Sequence, residues 1–419
     1  MFDRVHDFID ATPNAMRCAK NVAAVLAENG FVKYDETERW DKPDETVKGI
    51  YVIRGGSIIA ISLPSEIYYF AGTITHSDSP HFKIKTNPEI VVNGYTKLNV
   101  EPYGGSIYYS WLDKPLAICG IAINDKGEYI EVDTKDSHNV FIPSQAIHIN
   151  REVNTTNNLN PQKDMLPVWG LGKDSSFLAT VTKEPNAKDT ILAYDLSLYN
   201  PEPVKTVQLG SNKVIIGPRL DNLASVHAAL IGFLNAEYAI NSSSAPTNVA
   251  NVLAVFNSEE IGSMTYDGAN GTFLTSVLER VCEMYNLDKY STFASSSFLS
   301  IDAAHAVHPN APEKSDPTNT VEFDKGVVVK HNINYANNLE LETDIKEICK
   351  NNGIKYQDFY SRADMRCGAT LGNISMSQHG IATIDIGIPM LAMHSAVETV
   401  MDDDLYQLKR LIYNYYWFQ

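Results

Sequence analysis

Residues 249–260 read VANVLAVFNSEE: a short, almost wholly apolar run leads straight into two adjacent carboxylates. A run of that length bounded by polar residues reads as a strand. Helical periodicity brackets it, over 222–240 with Val226, Leu230, Phe233 and Leu234 as its buried stripe, and over 268–286. Alternation of strands and helices predicts an α/β domain with a mainly parallel sheet. Acids stranded at the end of an apolar strand cost desolvation energy, and a cation is the simplest compensation. The carboxyl edge of such a sheet is also where open α/β folds bind ligands.

The same arrangement recurs along the chain. SFLSI, 297–301, ends on Asp302, and IYYFAGTIT, 67–75, ends on His76 with Asp78 two residues on. IATIDIGIPM, 381–390, precedes LAMHS with His394. Asp221 stands in PRLDNLAS just ahead of the 222–240 helix, where it would also serve as an N-cap. Two histidines and three acids, each flanking a separate apolar element, provide nitrogen and oxygen donors for two cations sharing a bridging carboxylate. The Glu259–Glu260 pair then leaves one carboxylate over for proton transfer. Paired cations that activate a water and polarise a carbonyl, beside a carboxylate that moves the proton, describe amide hydrolysis.

The rest of the chain frames this domain. An amphipathic helix is expected over 14–29, with Cys18, Val22, Val25 and Leu26 on one face and Gly30 as its stop. Residues 51–75 show strand and turn chemistry, and Leu405, Leu408, Leu411 and Ile412 form a core stripe near the carboxyl end. From 86 to 206 the chain is rich in Val, Ile, Tyr, Asn and Pro without helical period, which predicts an inserted β-rich domain. The catalytic domain is then 1–85 with 207–419. NSSSAPTN, 241–248, is expected to be a loop rather than a boundary.

With 419 residues, 44% of them hydrophobic, the chain can bury a large core. A net charge of −17 repels nucleic-acid phosphates and anionic membranes, so neither is an expected partner. The start, MFDRVHDFID, has acids where a secretory signal has basic and apolar stretches. Cysteines 18, 119, 282, 349 and 367 form no CxxC pair, which argues against disulfides and against a thiolate zinc site. The expected location is cytoplasmic.

These residues resemble the aspartyl aminopeptidase and vacuolar aminopeptidase I group of zinc metallopeptidases, family M18. The resemblance runs through FIDATPNAMRCAKNVAAVLAENGF, THSDSPHFKIK, VEPYGG, YYSWLDKPL, IPSQAIHINR, GPRLDNLAS, NSEEIGS, SIDAAHAVHPN, DKGVVVK, MRCGATLGNIS and LAMHSAVE. It implies that His76, Asp221 and Asp302 hold one divalent ion, and that Asp221, Glu260 and His394 hold the other. Zinc is the expected metal, with cobalt or manganese as alternatives. Glu259 is then the general base, and Asp78 orients His76.

His148, His308 and Lys330 match family residues near the substrate, Lys330 as the partner of an acidic first side chain. Gly368, Thr370 and Gly372 match a loop beside the site. The resemblance further implies that the β-rich insertion mediates dimer contacts and that twelve copies assemble as a tetrahedral homododecamer. Its substrates would be peptides with a free amino terminus. Arg17 stands where the family often has His, and Asn257–Ser258 departs from the usual dipeptide. Because MRCGATLGNIS is closer to bacterial members, a preference for neutral or apolar first residues stays open. Other readings are a two-metal amidase or deacylase and, from another class, a shell-forming particle with a dormant site.

Overall fold

A computed structural model describes residues 2–44, 46–156, 158–172, 176–242 and 248–417. The expected loop at 241–248 lies largely outside them, since 243–247 are not described; Asn241 and Ser242 end a helix. The chain divides into two compact units, one formed by 1–78, 204–393 and 398–419, the other by 79–203 and 394–397.

The first unit is built on a nine-stranded sheet. Its centre is Tyr69–His76, flanked in parallel by Val249–Phe256 on one side and Ser297–Ile301 on the other, with Ala382–Gly387 parallel beyond the latter. Every residue of Val249–Phe256 is buried, which is why that strand reads as a continuous apolar run. The sheet is mixed rather than purely parallel: the hairpin Gly49–Arg54/Ser57–Ser62 is antiparallel, and Val327–His331 runs antiparallel to Ala382–Gly387. A second, five-stranded sheet orders Lys205–Leu209, Asn212–Gly217, Glu398–Met401, Pro389–Leu391 and Ala304–His305.

Helices cover the large sheet. Ala15–Glu28 begins where the Asn14 side chain accepts from the Arg17 N–H at 2.9 Å, and it buries Cys18, Val22, Val25 and Leu26 as its spacing predicted. Leu220–Ser242 is apolar around its circumference, the mark of a helix enclosed by core. It is long and apolar enough to cross a membrane, yet 67% of its most apolar window is buried inside the fold. Its partner in packing is the terminal helix Asp402–Trp417, through Leu408, Leu411, Ile412 and Tyr416.

His227 in the long helix has its Nε2 3.0 Å from the Phe2 carbonyl and is fully buried. Burial, reinforced by Lys409, holds its pKa down at about 3. An unfolded imidazole titrates near 6.5, so below that pH the unfolded chain binds the extra proton. The stability compatible with a neutral His227 is therefore present above pH 6.5 and lost as pH falls toward 3. Relative to a His227→Gln variant, unfolding free energy is expected to fall by on the order of 2 kcal/mol between pH 6.5 and 5. Urea unfolding at the two pH values measures this, and equal acid slopes for the two proteins would contradict it.

The second unit is a six-stranded antiparallel sheet in the order Tyr129–Asp133, Ala117–Asn124, Ile191–Tyr199, His81–Val92, Tyr95–Tyr103, Val168–Leu171. Phe82, Trp111, Ile118, Val132, Leu196 and Leu198 form its core. Short helices, Phe177–Thr182 and Ala187–Thr190, interrupt a stretch that the sequence reads as strand and loop alone.

Candidate metal centre

Three adjacent parallel strands of the first unit deliver their carboxyl ends to one place. His76 closes the central strand opposite Phe256, so the turn 257–260 leaves the sheet beside it. Asp302 follows Ile301 on the other neighbour and ties its N–H to the Ile386 carbonyl at 3.0 Å. Asp221 enters from the start of the long helix, where Asp221 and Asn222 depart from helical geometry and the peptide between them is cis.

His76 Nε2 lies 3.4 Å from Asp221 Oδ1 and 3.4 Å from Asp302 Oδ1. One donor atom from each of the three residues falls within 4.8 Å of the others. Ligand atoms about 2.1 Å from a tetrahedral zinc ion stand about 3.4 Å apart, so the donor set fits a divalent cation. On the other side of the ring, Nδ1 is 3.0 Å from the Asp78 carbonyl and 3.5 Å from its carboxylate, which fixes the ring's rotation. Glu259 and Glu260 form a second grouping with His76 within the same 4.8 Å limit.

Asp78 does more than orient the ring. Its two carboxylate oxygens accept from the backbone N–H groups of Glu259 and Glu260, each at 3.1 Å. One buried carboxylate thus fixes a histidine and the backbone of both glutamates, helped by the left-handed turn at Ser258, φ +67°.

Electrostatics follow from this crowding. Burial raises the Glu259 pKa to about 8; Asp302, Asp78 and Asp221 add to the rise and His76 opposes it. Burial likewise raises Glu260, with Asp221 next in effect. Burial works to lower His76, but its contacts with Asp221, Asp302 and Asp78 outweigh it and hold the ring well above its ordinary value. For Asp302 burial opposes ionisation, while the Lys330 ammonium and His76 prevail and keep the carboxyl well below the usual range. Within the first unit five carboxyl groups, Asp78, Asp221, Glu259, Glu260 and Asp302, gather about the His76 imidazole and the Lys330 ammonium, and a divalent cation would compensate their ionised forms.

The remaining sequence candidates fall in varied settings. Lys330 is 1% exposed, with Nζ 3.5 Å from Asp302 Oδ2 and 5.3 Å from the Tyr335 ring centre. Glycine at 387 leaves room for this pair, because a Cβ there would run into the Asp302 carbonyl and the Lys330 side chain. His308 is exposed on a turn, its Nδ1 accepting from the Asn310 N–H at 3.2 Å. His148 is exposed on a turn of the second unit. His394 opens the segment 394–397 that groups with the second unit, has φ +66°, and its Nδ1 lies 3.2 Å from the Gly105 carbonyl.

Among the buried acids that escaped the sequence reading, Glu398 and Asp385 lie beside residues already named, Asp221 and Lys330. Glu398 Oε2 accepts from the Asp221 N–H at 2.9 Å, and Asp385 Oδ2 accepts from the Ala336 N–H at 2.6 Å. The signal for Asp385 was an acid inside the apolar run IATIDIGIPM; Glu398 sits at a strand start, where an acid is unremarkable.

The family model described as "Aminopeptidase I zinc metalloprotease (M18)" matches residues 8–416. A protein of Clostridium novyi named "Probable M18 family aminopeptidase 2" is 36% identical over 431 aligned residues, covering 98% of this chain and 97% of its own. A Streptomyces coelicolor protein of the same name is 36% identical over 96% of this chain and 95% of its own. Among solved structures, Ape4 in complex with Nbr1 superposes with a TM-score of 0.90 at 28% identity, covering 99% of this chain and 84% of that one. An M18 aminopeptidase of Thermotoga maritima shares the fold with a TM-score of 0.84 at 21% identity, over 98% and 94% of the two chains. With a sheet edge that gathers cation donors and relatives matching end to end, the chain belongs to the M18 family of aminopeptidase I zinc metalloproteases and is a metalloaminopeptidase.

Proposed function

We propose that this enzyme removes acidic residues, Asp or Glu, from peptide amino termini with two divalent ions and Glu259 as general base. The observation that carries the reading is the His76–Asp221–Asp302 triad, with His76 Nε2 at tetrahedral-edge distance from both carboxylates and Glu259 and Glu260 beside the same ring. In this reading His76, Asp221 and Asp302 would hold one ion, and Asp221, Glu260 and His394 would hold the other.

Bound ions would activate a water and polarise the scissile carbonyl. Glu259 takes the proton from that water and returns it to the departing amine. Its backbone is anchored to Asp78, so the side chain moves a proton without moving the loop.

Lys330 supplies the acid preference. An ammonium has three donors; this one lies beside Asp302 and over the Tyr335 ring, and the carboxylate of an acidic substrate would be its further partner. His148 and His308 are assigned to substrate contact, His148 from a neighbouring copy. Zinc is the proposed metal. The enzyme is proposed to work in the cytoplasm. Its assembly is proposed to be a tetrahedral homododecamer in which the second unit makes dimer contacts; a solved structure of Saccharomyces cerevisiae mApe1, which has the same fold, is a dodecamer.

The test is a scan of aminoacyl anilides with zinc-loaded enzyme, comparing Asp and Glu with Leu, Ala and Lys, and free with acyl-blocked amines. Lys330→Met is expected to reduce kcat/KM for Asp and Glu about 10²-fold more than for Leu. An equal loss on all substrates would confine Lys330 to its role beside Asp302. Faster cleavage of blocked amines would replace the aminopeptidase reading by a deacylase.

A further inference from the structure

The reading of Asp221 as a metal ligand leaves open what holds that residue in place, and it is on that reading that the following rests. We infer that Glu398 is a positioning residue of the metal centre, its carboxylate gripping the Asp221 backbone so that the ligand oxygen meets His76.

The local geometry makes the case. Strand Glu398–Met401 pairs antiparallel with Asn212–Gly217, placing Glu398 directly opposite Gly217. Past Gly217 the chain turns sharply through Pro218 and Arg219, the latter at φ +57°, and the Asp221 N–H folds back to donate to Glu398 Oε2 at 2.9 Å. The first N–H groups of a helix have no partner inside it, and Asp221, at φ −80° and ψ 107°, is not helical at all. That donor needs an acceptor from elsewhere, and Glu398 provides a charged one.

Glu398 is 2% exposed and takes no part in the proton transfers assigned above. A carboxylate that deep costs desolvation unless its hydrogen bonds compensate. The next residue secures the other side: Asn222 Nδ2 donates to the Ile301 carbonyl at 2.8 Å, immediately before Asp302. The Asp221–Asn222 pair is therefore strung between Glu398 and the strand end that presents Asp302. With the Asp221 backbone held at one point and the Asn222 side chain at the other, the Asp221 carboxylate is set at 3.4 Å from His76 Nε2. Glu398 thus does for Asp221 what Asp78 does for Glu259 and Glu260. Hydrogen bonds that orient metal ligands from behind typically contribute 10- to 100-fold in affinity.

Calorimetric zinc titration of the chelated, full-length protein tests this without substrate. Glu398→Ala is expected to weaken zinc binding about 10- to 100-fold. Glu398→Gln keeps a side-chain oxygen at the same reach and is expected to recover most of that loss. At limiting zinc, Glu398→Ala turnover falls through kcat with KM unchanged, and excess zinc restores it. Should Glu398→Ala fail to fold, Glu398→Asp, one methylene shorter, replaces it with the same expectation. Unchanged affinity in the shortened variant overturns the inference, as does an equal loss in Glu398→Gln, which would make charge and not the hydrogen bond the cause. Asp221→Asn titrated alongside keeps the two readings apart: if it binds zinc like the parent chain, Asp221 is not a ligand, whatever the Glu398 variants do.

Discussion

Glu259→Gln is expected to lower kcat by about 10²- to 10⁴-fold while KM, zinc content and melting temperature stay near those of the parent protein. The substitution is nearly isosteric, and what anchors this loop is the Glu259 N–H on Asp78 rather than the Glu259 side chain. Glu259 is not among the proposed ligands, so the amide removes only the ability to accept the water's proton. Selectivity for kcat is the informative part, because a loss of binding or of fold would move KM or the melting temperature too. Steady-state kinetics on an aminoacyl anilide, with metal content measured on the same sample, decides it. Hydrolysis at close to the native rate would rule out Glu259 as the base.

The second large effect is expected from removing the metal. Chelation should abolish turnover and lower the melting temperature, and added zinc should restore both. Without cations, Asp78, Asp221, Glu259, Glu260 and Asp302 of the first unit crowd about the His76 imidazole, with Lys330 as the nearby ammonium. Burying so many carboxyl groups together opposes folding: burial first, and neighbouring carboxylates in addition, drive the pKa values of Glu259 and Glu260 up. An ion at a thousandfold excess over its Kd stabilises the folded state by about 4 kcal/mol. Asp221→Asn is expected to reproduce much of the activity loss at ordinary zinc concentrations, since in the proposed two-ion reading this carboxylate would serve both ions. A thermal scan and an activity assay on chelated, zinc-restored and Asp221→Asn protein provide the measurement. Full activity after exhaustive chelation would defeat the metal mechanism as a whole.

Much of the architecture could be read from local pattern. Val249–Phe256 and Ser297–Ile301 have in the structure the bounds their apolar runs suggested, because a strand buried on both faces admits few polar residues and the first ones mark its end. The 14–29 helix is Ala15–Glu28, with its cap and buried stripe both visible in sequence. The expected helix at 268–286 is shorter, Phe273–Met284. Ahead of it, Asp267 binds the Gly56 N–H at 3.0 Å and the Asn257 side chain at 2.9 Å, and holds a turn where the local pattern suggested helix. The Gly56 partner lies 211 residues away in the chain, beyond the reach of any periodicity.

The sequence by itself determined which side chains stand at strand ends, and hence that His76, Asp302 and the Glu259–Glu260 pair are candidates for one sheet edge, because acids and imidazoles there are conspicuous against apolar runs. It also carried the family. Only the tertiary structure decided that His76 Nε2 faces Asp221 and Asp302 at equal distance, that Lys330 is buried against Asp302, and that Glu398 and Asp78 hold the backbones of other residues. The physical reason is that hydrophobic periodicity records whether a residue is buried. Which polar group meets which is set by strand order and by turns such as 217–221, and these depend on contacts between segments more than a hundred residues apart.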